Sequence, residues 1–113
     1  MIKSLSHISL TSRDLKKVEK FYTKILNFKI AHRFINHKNE TYGLFIFCNN
    51  RTFLEFFQDK KLKKSKNDKL RHISFEVKNI YQIRKKLSKY FPKIKIKRGK
   101  TDGILQFFIK DFE

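Results

Sequence analysis

The sequence is poor in cysteine, glycine and acidic residues, and each shortage excludes a class of protein. A single cysteine, Cys48, cannot form an intrachain disulfide, and no helix terminus is expected beside it to lower its thiol pKa. Three glycines are too few for a phosphate-binding loop, and neither a Ser-His-Asp order nor zinc-finger spacing is present. No apolar run approaches the roughly 18 residues of a membrane span, and the N-terminus lacks the apolar core of a signal peptide. We therefore expect a cytoplasmic protein without a membrane segment.

Acidic residues are the most marked shortage, because the chain has only 10 of them and 28 lysines and arginines. Its formal net charge is therefore +18. Cations at this density can neutralise nucleic-acid phosphates and release counterions. Only 6 of the 28 are arginine, the residue favoured for bidentate phosphate recognition, so a solvated lysine-rich surface is the simpler interpretation. Attraction of a small anionic substrate is favoured next, and polyanion or nucleic-acid binding is the weaker alternative. No nucleic-acid partner is expected from composition alone.

Apolar residues make up 40% of the chain and aromatic residues 15%, which is enough for a folded domain. Alternation predicts a first strand over 4–11, with His7 and Ser9 on one face. Ser12 or Asp14 can cap a helix, since each side-chain oxygen can accept from the free amides of a first turn. A strand, a cap and a helix therefore open the chain.

The predicted helix has apolar residues at spacings of three and four, and these residues are Leu15, Val18, Phe21, Tyr22, Ile25 and Leu26. It is predicted to end near Asn27. Three β-like stretches follow at 28–35, 41–48 and 52–58, the last two as a hairpin. The order of elements in the first half is βαβββ.

The second half repeats this order up to its last strand. A strand is predicted over 70–77 and Asn79 is a plausible cap. The helical stripe that follows, before Pro92, contains Ile80, Ile83, Leu87, Tyr90 and Phe91. Short strands are predicted over 94–97 and 104–110, so the second half reads βαββ.

A displacement of 65 residues superimposes His72 on His7 and Asn79 on Asp14, together with the apolar stripes of both helices. We interpret this as two copies of one unit within a single domain, 1–113. Its parts are a βαβββ module at 1–58, a basic linker at 59–69 and a βαββ module at 70–113.

The stretch HISLTSRDLKKVEKFYTKILNFKI resembles the opening of the glyoxalase/bleomycin-resistance/dioxygenase family, the vicinal oxygen chelate superfamily. The opening His-Ile, the Asp-Leu at the helix start, the Phe-Tyr within the helix and the Leu-Asn-Phe at its end carry the likeness. Leu-Asn-Phe replaces the family's usual Leu-Gly-Phe. LRHISFEVKNI resembles the opening of the second module. The resemblance implies an α+β fold of paired βαβββ modules around a shared cleft, here with the last strand of the second module absent or truncated.

The resemblance also implies a metal site. His7, Glu55 and His72 match three of the family's ligand positions, and Glu55 would also be the catalytic carboxylate. The family's fourth ligand has no counterpart, because Glu113 aligns with the turn before it. Two imidazoles and a carboxylate suit Zn²⁺, Ni²⁺, Mn²⁺ or Fe²⁺, and such an ion would polarise a carbonyl of an oxygen-rich substrate.

Strand alternation alone puts polar and aromatic residues on the face opposite the helices. The residues that join this predicted cleft are Phe53, Phe57, Ser74, Gln106 and Phe108. An ordinary solvated sheet face, a strand-edge amide and core packing are the alternatives that the pattern leaves open. His32 and His37 are interpreted as surface residues rather than ligands.

Three functions follow in order of preference. The first is a glyoxalase-like, divalent-metal-dependent lyase, isomerase or transferase acting on a small molecule. The second is a metal-free, drug-sequestering binder of the bleomycin-resistance kind, and the third is the polyanion binder. A sheet that lacks its last strand also leaves an unpaired edge, so we expect a homodimer.

Overall fold

The computed structural model of the chain describes residues 1–49, 51–63, 72–100 and 103–111 and has an α+β fold. The chain divides into two units, Met1–Lys64 with Asp111–Glu113, and Ser65–Lys110. Several predicted features fall partly or wholly outside the described residues, namely the linker 59–69, the start of strand 70–77, the turn before 104 and Glu113. No helix in the described ranges has the length and apolar character needed to cross a membrane.

The first unit is a four-stranded mixed sheet with one helical segment. Its strands are β1 (His7–Ser12), β2 (Lys29–Ile35), β3 (Thr41–Phe47) and β4 (Phe53–Gln58). The order in the sheet is β1-β4-β3-β2, with β1 and β4 parallel and the other two pairs antiparallel. The parallel pair needs a crossover, which the helix between β1 and β2 begins. The element order βαβββ matches the one predicted for this half.

One face of this sheet carries the core. Its buried apolar side chains come from alternate positions of β3 and β4 and from the helical segment, which fixes the other face as the more open one. The buried residues are Leu15, Val18, Phe21, Tyr22, Ile25, Leu44, Ile46, Leu54 and Phe56. The predicted helical stripe is thus buried, apart from Leu26, which is half-buried.

The helical segment changes its winding along its length. Helix α1 (Leu15–Glu19) begins at the cap Asp14, whose Oδ1 accepts the amides of Lys16 and Lys17 at 3.0 and 3.4 Å. A π-helical segment, Lys20–Ile25, then continues it. Asn27 follows at φ 63°, the left-handed conformation that asparagine tolerates better than most side chains.

The second unit has a shorter helix and a much smaller sheet. Helix α2 (Ile80–Leu87) is capped by Asn79, whose Oδ1 accepts two amides at 3.1 and 3.2 Å. Strands β5 (Lys97–Arg98) and β6 (Leu105–Gln106) form a two-residue antiparallel ladder. Helix α2 ends at Leu87, before the end of the predicted apolar stripe. Beyond Leu87 the chain continues toward Pro92 in turns.

Three strand predictions for this half were wrong in extent. Within the predicted strand 70–77, the described residues 72–77 belong to no strand. The strand predicted over 94–97 is replaced by β5, which overlaps it only at Lys97, and the strand predicted over 104–110 shrinks to β6. Alternation of side chains makes a strand possible, but a strand also requires a neighbour for its amides and carbonyls. In the described part of the second unit, only β5 and β6 pair with each other.

Candidate functional site

The open face of the first sheet brings together a predicted imidazole and a predicted carboxylate. In the parallel pair β1–β4, His7 lies opposite Phe53 and Ser9 lies opposite Glu55. His7 and Glu55 are therefore diagonal neighbours on adjacent strands, on the face turned away from the core. His7 is exposed and Glu55 is half-buried, so both side chains remain accessible.

Contacts on both sides orient the His7 ring. Its Nδ1 lies 3.2 Å from the Ser6 hydroxyl oxygen, which leaves Nε2 for another partner. The ring also meets Phe45 edge-on, with centroids 5.5 Å apart and an interplanar angle of 64°. Phe45 in turn lies opposite Glu55 in the β3–β4 ladder. The imidazole and the carboxylate thus have an aromatic ring as a common neighbour.

Aromatic rings form the rest of this face. Phe53, one of the predicted cleft residues, stacks on Phe45 with centroids 4.6 Å apart, and Phe57 packs against Phe34 at 5.2 Å and Tyr42 at 6.2 Å. We call this set, Phe34, Tyr42, Phe45, Phe53 and Phe57 together with His7 and Glu55, the aromatic face. Apolar surface with a few polar groups is the usual composition of a small-molecule site.

Gly43 explains how two of the rings can lie so close to the sheet. A Cβ at this position would stand 2.8 Å from Cδ1 of Phe57 and 2.9 Å from Cδ2 of Phe34, closer than real Cβ contacts allow. Sequence reasoning missed Gly43, and with it Phe34, Tyr42 and Phe45. A glycine inside a strand is a recognisable signal of close packing, but alternation could not place Tyr42, because an irregularity in the β2–β3 register lies beside it.

The second unit holds the remaining predicted residues. His72 is exposed and meets Phe108 edge-on, with ring centroids 5.9 Å apart, so two of the predicted site residues are neighbours. Ser74 is exposed and lies outside any strand. Gln106 is exposed in β6, opposite Lys97.

The donor chemistry suits a divalent ion, but only in part within one unit. His7 and Glu55 offer an imidazole nitrogen and carboxylate oxygens, which Zn²⁺, Ni²⁺, Mn²⁺ and Fe²⁺ all accept. Catalytic zinc sites commonly use three protein ligands, and the third predicted donor, His72, belongs to the second unit. Across the described ranges, no three His, Cys, Asp or Glu side chains form a group that could hold a metal ion.

Other candidate groups lie at the edge of this face or outside it, or are poorly suited to chemistry. His32 is exposed and meets Phe34 edge-on at 4.8 Å, and His37 is exposed in a turn. Burial raises the pKa of the Cys48 thiol, which favours the unreactive neutral form. Burial, with a smaller contribution from the negative charge of Asp111, also raises the pKa of Tyr22 on the core side of the sheet.

The family is decided by a match to the model of the Glyoxalase/Bleomycin resistance protein/Dioxygenase superfamily, which spans residues 4–111. The chain belongs to this superfamily. Both the resemblance found in the sequence and the α+β fold class are thereby confirmed. A comparison with curated proteins found no match.

Solved structures of the superfamily share the fold. A glyoxalase family protein from Enterococcus faecalis is 21% identical with a TM-score of 0.72, covering 96% of this chain and 91% of its own. The trypanothione-dependent glyoxalase I of Leishmania major is 20% identical with a TM-score of 0.66, covering 97% and 81%. The fosfomycin resistance protein FosX of Listeria monocytogenes, solved with Mn(II) and 1S,2S-dihydroxypropylphosphonic acid, is 18% identical with a TM-score of 0.63, covering 96% and 85%.

Proposed function

We propose that this chain is a glyoxalase-type, divalent-metal-dependent enzyme that binds a small oxygen-rich molecule on its aromatic face. The observation that carries the proposal is the diagonal placement of His7 and Glu55 on adjacent strands, beside the half-buried rings of Phe45 and Phe53. The FosX structure, solved with Mn(II) and a dihydroxypropylphosphonic acid, supports a small oxygen-rich substrate and the use of a divalent ion. Lyase, isomerase and transferase reactions are all within this proposal.

The proposed ligands of the ion are His7, Glu55 and His72. When bound, a divalent ion supplies Lewis-acid polarisation of a substrate oxygen. The residues of the chain would do the remaining work. Glu55 is half-buried among aromatic rings and would carry a proton to or from the substrate, while Phe53 and Phe57 on either side of it would hold the apolar part and exclude water.

A metal-free binder is the second candidate, and one observation favours it. No group of three metal donors forms within the described ranges, whereas the aromatic face is complete within the first unit. Such a protein would sequester a drug-sized apolar molecule by stacking it on Phe53 and Phe57. Such a binder would need neither a set of metal ligands nor a catalytic step.

Metal titration separates the two candidates. We expect the protein to bind about one Mn²⁺, Ni²⁺ or Zn²⁺ per chain by calorimetry and by elemental analysis. His7→Ala, Glu55→Gln and His72→Ala should each weaken binding at least tenfold, since losing even a supporting group costs about 10–100-fold. His37→Ala, which removes an exposed turn histidine, is the matched control. Binding of none of these ions, or equal loss in the control, would reject the metal site and leave the metal-free candidate.

The expected partners are a small-molecule substrate and a second copy of the chain. In the described part of the second unit, the two-residue strands β5 and β6 leave most of their edges unpaired, and such edges favour pairing with another chain. Light scattering at micromolar concentration should give the mass of a dimer; a monomer would contradict this. A cytoplasmic location is in keeping with the single free Cys48.

A further inference from the structure

The second unit contains a groove that includes none of the proposed metal ligands or substrate-binding residues. It lies between helix α2 and the segment 94–97 and has a volume of about 530 Å³. Every lining residue belongs to the second unit, and none is among the predicted site residues. The lining consists of Tyr81, Arg84, Ile94, Lys95, Ile96 and Lys97.

The lining combines an apolar floor, an aromatic ring and a cationic rim. Ile94 is buried and Ile96 is half-buried, so they provide the floor. Tyr81 has 62% of its surface exposed, so its ring is open to solvent. Arg84, Lys95 and Lys97 are all exposed. A ligand in this groove would therefore meet a ring face and positive charge at the same time.

The positive charge around the groove is not neutralised by the protein. The sequence from 77 to 101 contains ten lysines and arginines and no acidic residue. Where the structure describes the chain, the side chains of Arg84, Lys95 and Lys97 make no ion pair. Cations concentrated in this way repel one another and create a local field that attracts polyanions.

A purely structural explanation covers only part of the pattern. Cations in the last turn of a helix interact favourably with the helix dipole, and Arg84 is in that turn of α2. Lys95 and Lys97 lie outside any helix, on the other side of the groove, so the dipole does not explain them. It does not explain the exposed ring of Tyr81 either.

We propose that this groove binds single-stranded nucleic acid, with an unpaired base stacked on Tyr81 and phosphates at Arg84, Lys95 and Lys97. Proteins that bind single strands without sequence preference combine a positive groove with aromatic side chains on which bases stack. A duplex offers no unpaired base to the ring. A single nucleotide would leave the rest of the cation run, which extends beyond the groove to Lys100, without a partner.

Fluorescence anisotropy with a labelled oligothymidylate of about 12 nucleotides, within the range of known single-strand site sizes, tests the proposal. We expect tighter binding to this strand than to a duplex of equal length or to thymidine monophosphate. Tyr81→Ala should weaken binding by roughly 5- to 150-fold, the range for loss of one base–aromatic stack, and Tyr81→Phe should retain it. Tyr81 is exposed, so neither change should affect folding, which circular dichroism can verify.

Salt dependence tests the phosphate contacts separately. Arg84→Gln/Lys95→Gln/Lys97→Gln should reduce the slope of log affinity against log salt by about 2, since each phosphate contact to a single strand contributes about 0.7. Lys16→Gln/Lys17→Gln/Lys29→Gln removes the same charge from exposed positions of the first unit and is the matched control.

Three results would overturn the proposal. The first is unchanged binding in Tyr81→Ala, the second is an equal loss of slope in the two triple variants, and the third is a preference for the duplex or equal affinity for the monophosphate. The experiment uses no divalent metal, so its result is independent of the metal site proposed above.

Discussion

The two units begin with the same sequence pattern and differ in how much they bury. In the described part of the chain, nine of the eleven buried apolar side chains belong to the first unit and only Leu87 and Ile94 belong to the second. The helix caps are nevertheless almost identical, with φ and ψ of −139° and 100° at Asp14 and of −141° and 104° at Asn79. The repeat is thus retained in the helix caps but not in the strands.

This difference separates two kinds of structural information. A cap depends on one side chain and the amides two and three residues later, so it forms wherever its short sequence occurs. A strand depends on a partner distant in sequence. Residues His7–Ser12 pair along their whole length with β4, whereas 72–77 have no strand partner among the described residues of their unit. Repeated sequence therefore predicts repeated caps more securely than repeated sheets.

The largest expected effect compares one buried leucine from each unit. Leu54 is 1% exposed in the centre of the first sheet, and Leu87 is 3% exposed at the end of α2. We expect Leu54→Ala to cost about 2–5 kcal/mol of unfolding free energy, the usual range for a buried leucine. Leu87→Ala should cost less than Leu54→Ala, because a site with few buried neighbours can collapse around the missing atoms.

Urea unfolding followed by circular dichroism measures both values. Leu54→Met and Leu87→Met nearly preserve volume and serve as controls that should cost less than about 1.5 kcal/mol. An equal loss in the two alanine variants would contradict the difference between the units.

The caps should give effects of intermediate and equal size. Asp14→Ala and Asn79→Ala each remove a side chain that accepts two helix amides, which costs about 1 kcal/mol. Hydrogen exchange of the amides in α1 and α2 should accelerate about fivefold in the corresponding variant, if exchange occurs through local opening. Asp14→Asn and Asn79→Asp retain an acceptor and should leave exchange nearly unchanged. Unequal acceleration in the two alanine variants would show that the same cap geometry contributes different amounts to helix stability in the two units.

Much of the first unit could be predicted from the sequence, because its signals are local or repeat with a fixed period. The alternation in β1 and β4 placed His7 and Glu55 on the open face, and the spacing of apolar residues identified the buried side of the helix. Two features could not be predicted. The π-helical winding of Lys20–Ile25 and the position of the Tyr42 ring depend on packing against the sheet and on an irregular register.

In the second unit, less of the structure could be predicted from the sequence. Alternation in 70–77 could not say whether a neighbouring strand would be present, and that decides whether a strand forms. Likewise, the charge of the second half was evident from composition, but its relation to an exposed Tyr81 depended on the turn after α2 that returns the chain to 94–97. For both 70–77 and the groove, the sequence showed which residue types are present. It did not show which other residues lie beside them in space.

The smallest expected effect concerns an ion pair that only the first unit has within the described ranges. Nη1 and Nη2 of Arg33 on β2 donate to the two carboxylate oxygens of Glu19 at 2.6 and 2.8 Å, which ties the helical segment to the sheet. Hydrogen bonding from Arg33 is the main cause that lowers the pKa of Glu19. Both side chains are more than a third exposed, at 42% and 35%, so solvent screening limits the pair to about 0.5 kcal/mol.

The pH dependence of this contribution follows from the direction of the shift. A carboxyl whose pKa is lower in the folded state stabilises the fold above its unfolded pKa of about 4.3, and this stabilisation is lost as pH falls through the folded value. Glu19→Gln should therefore lower the melting temperature slightly at pH 7 and not at all near pH 3. Glu40→Gln, at an exposed turn glutamate, is the matched control and should change neither value. If the melting temperature of Glu19→Gln stayed equally lowered at low pH, Glu19 would act by packing its methylenes against the sheet. The ion pair would then make no difference in stability between the two units.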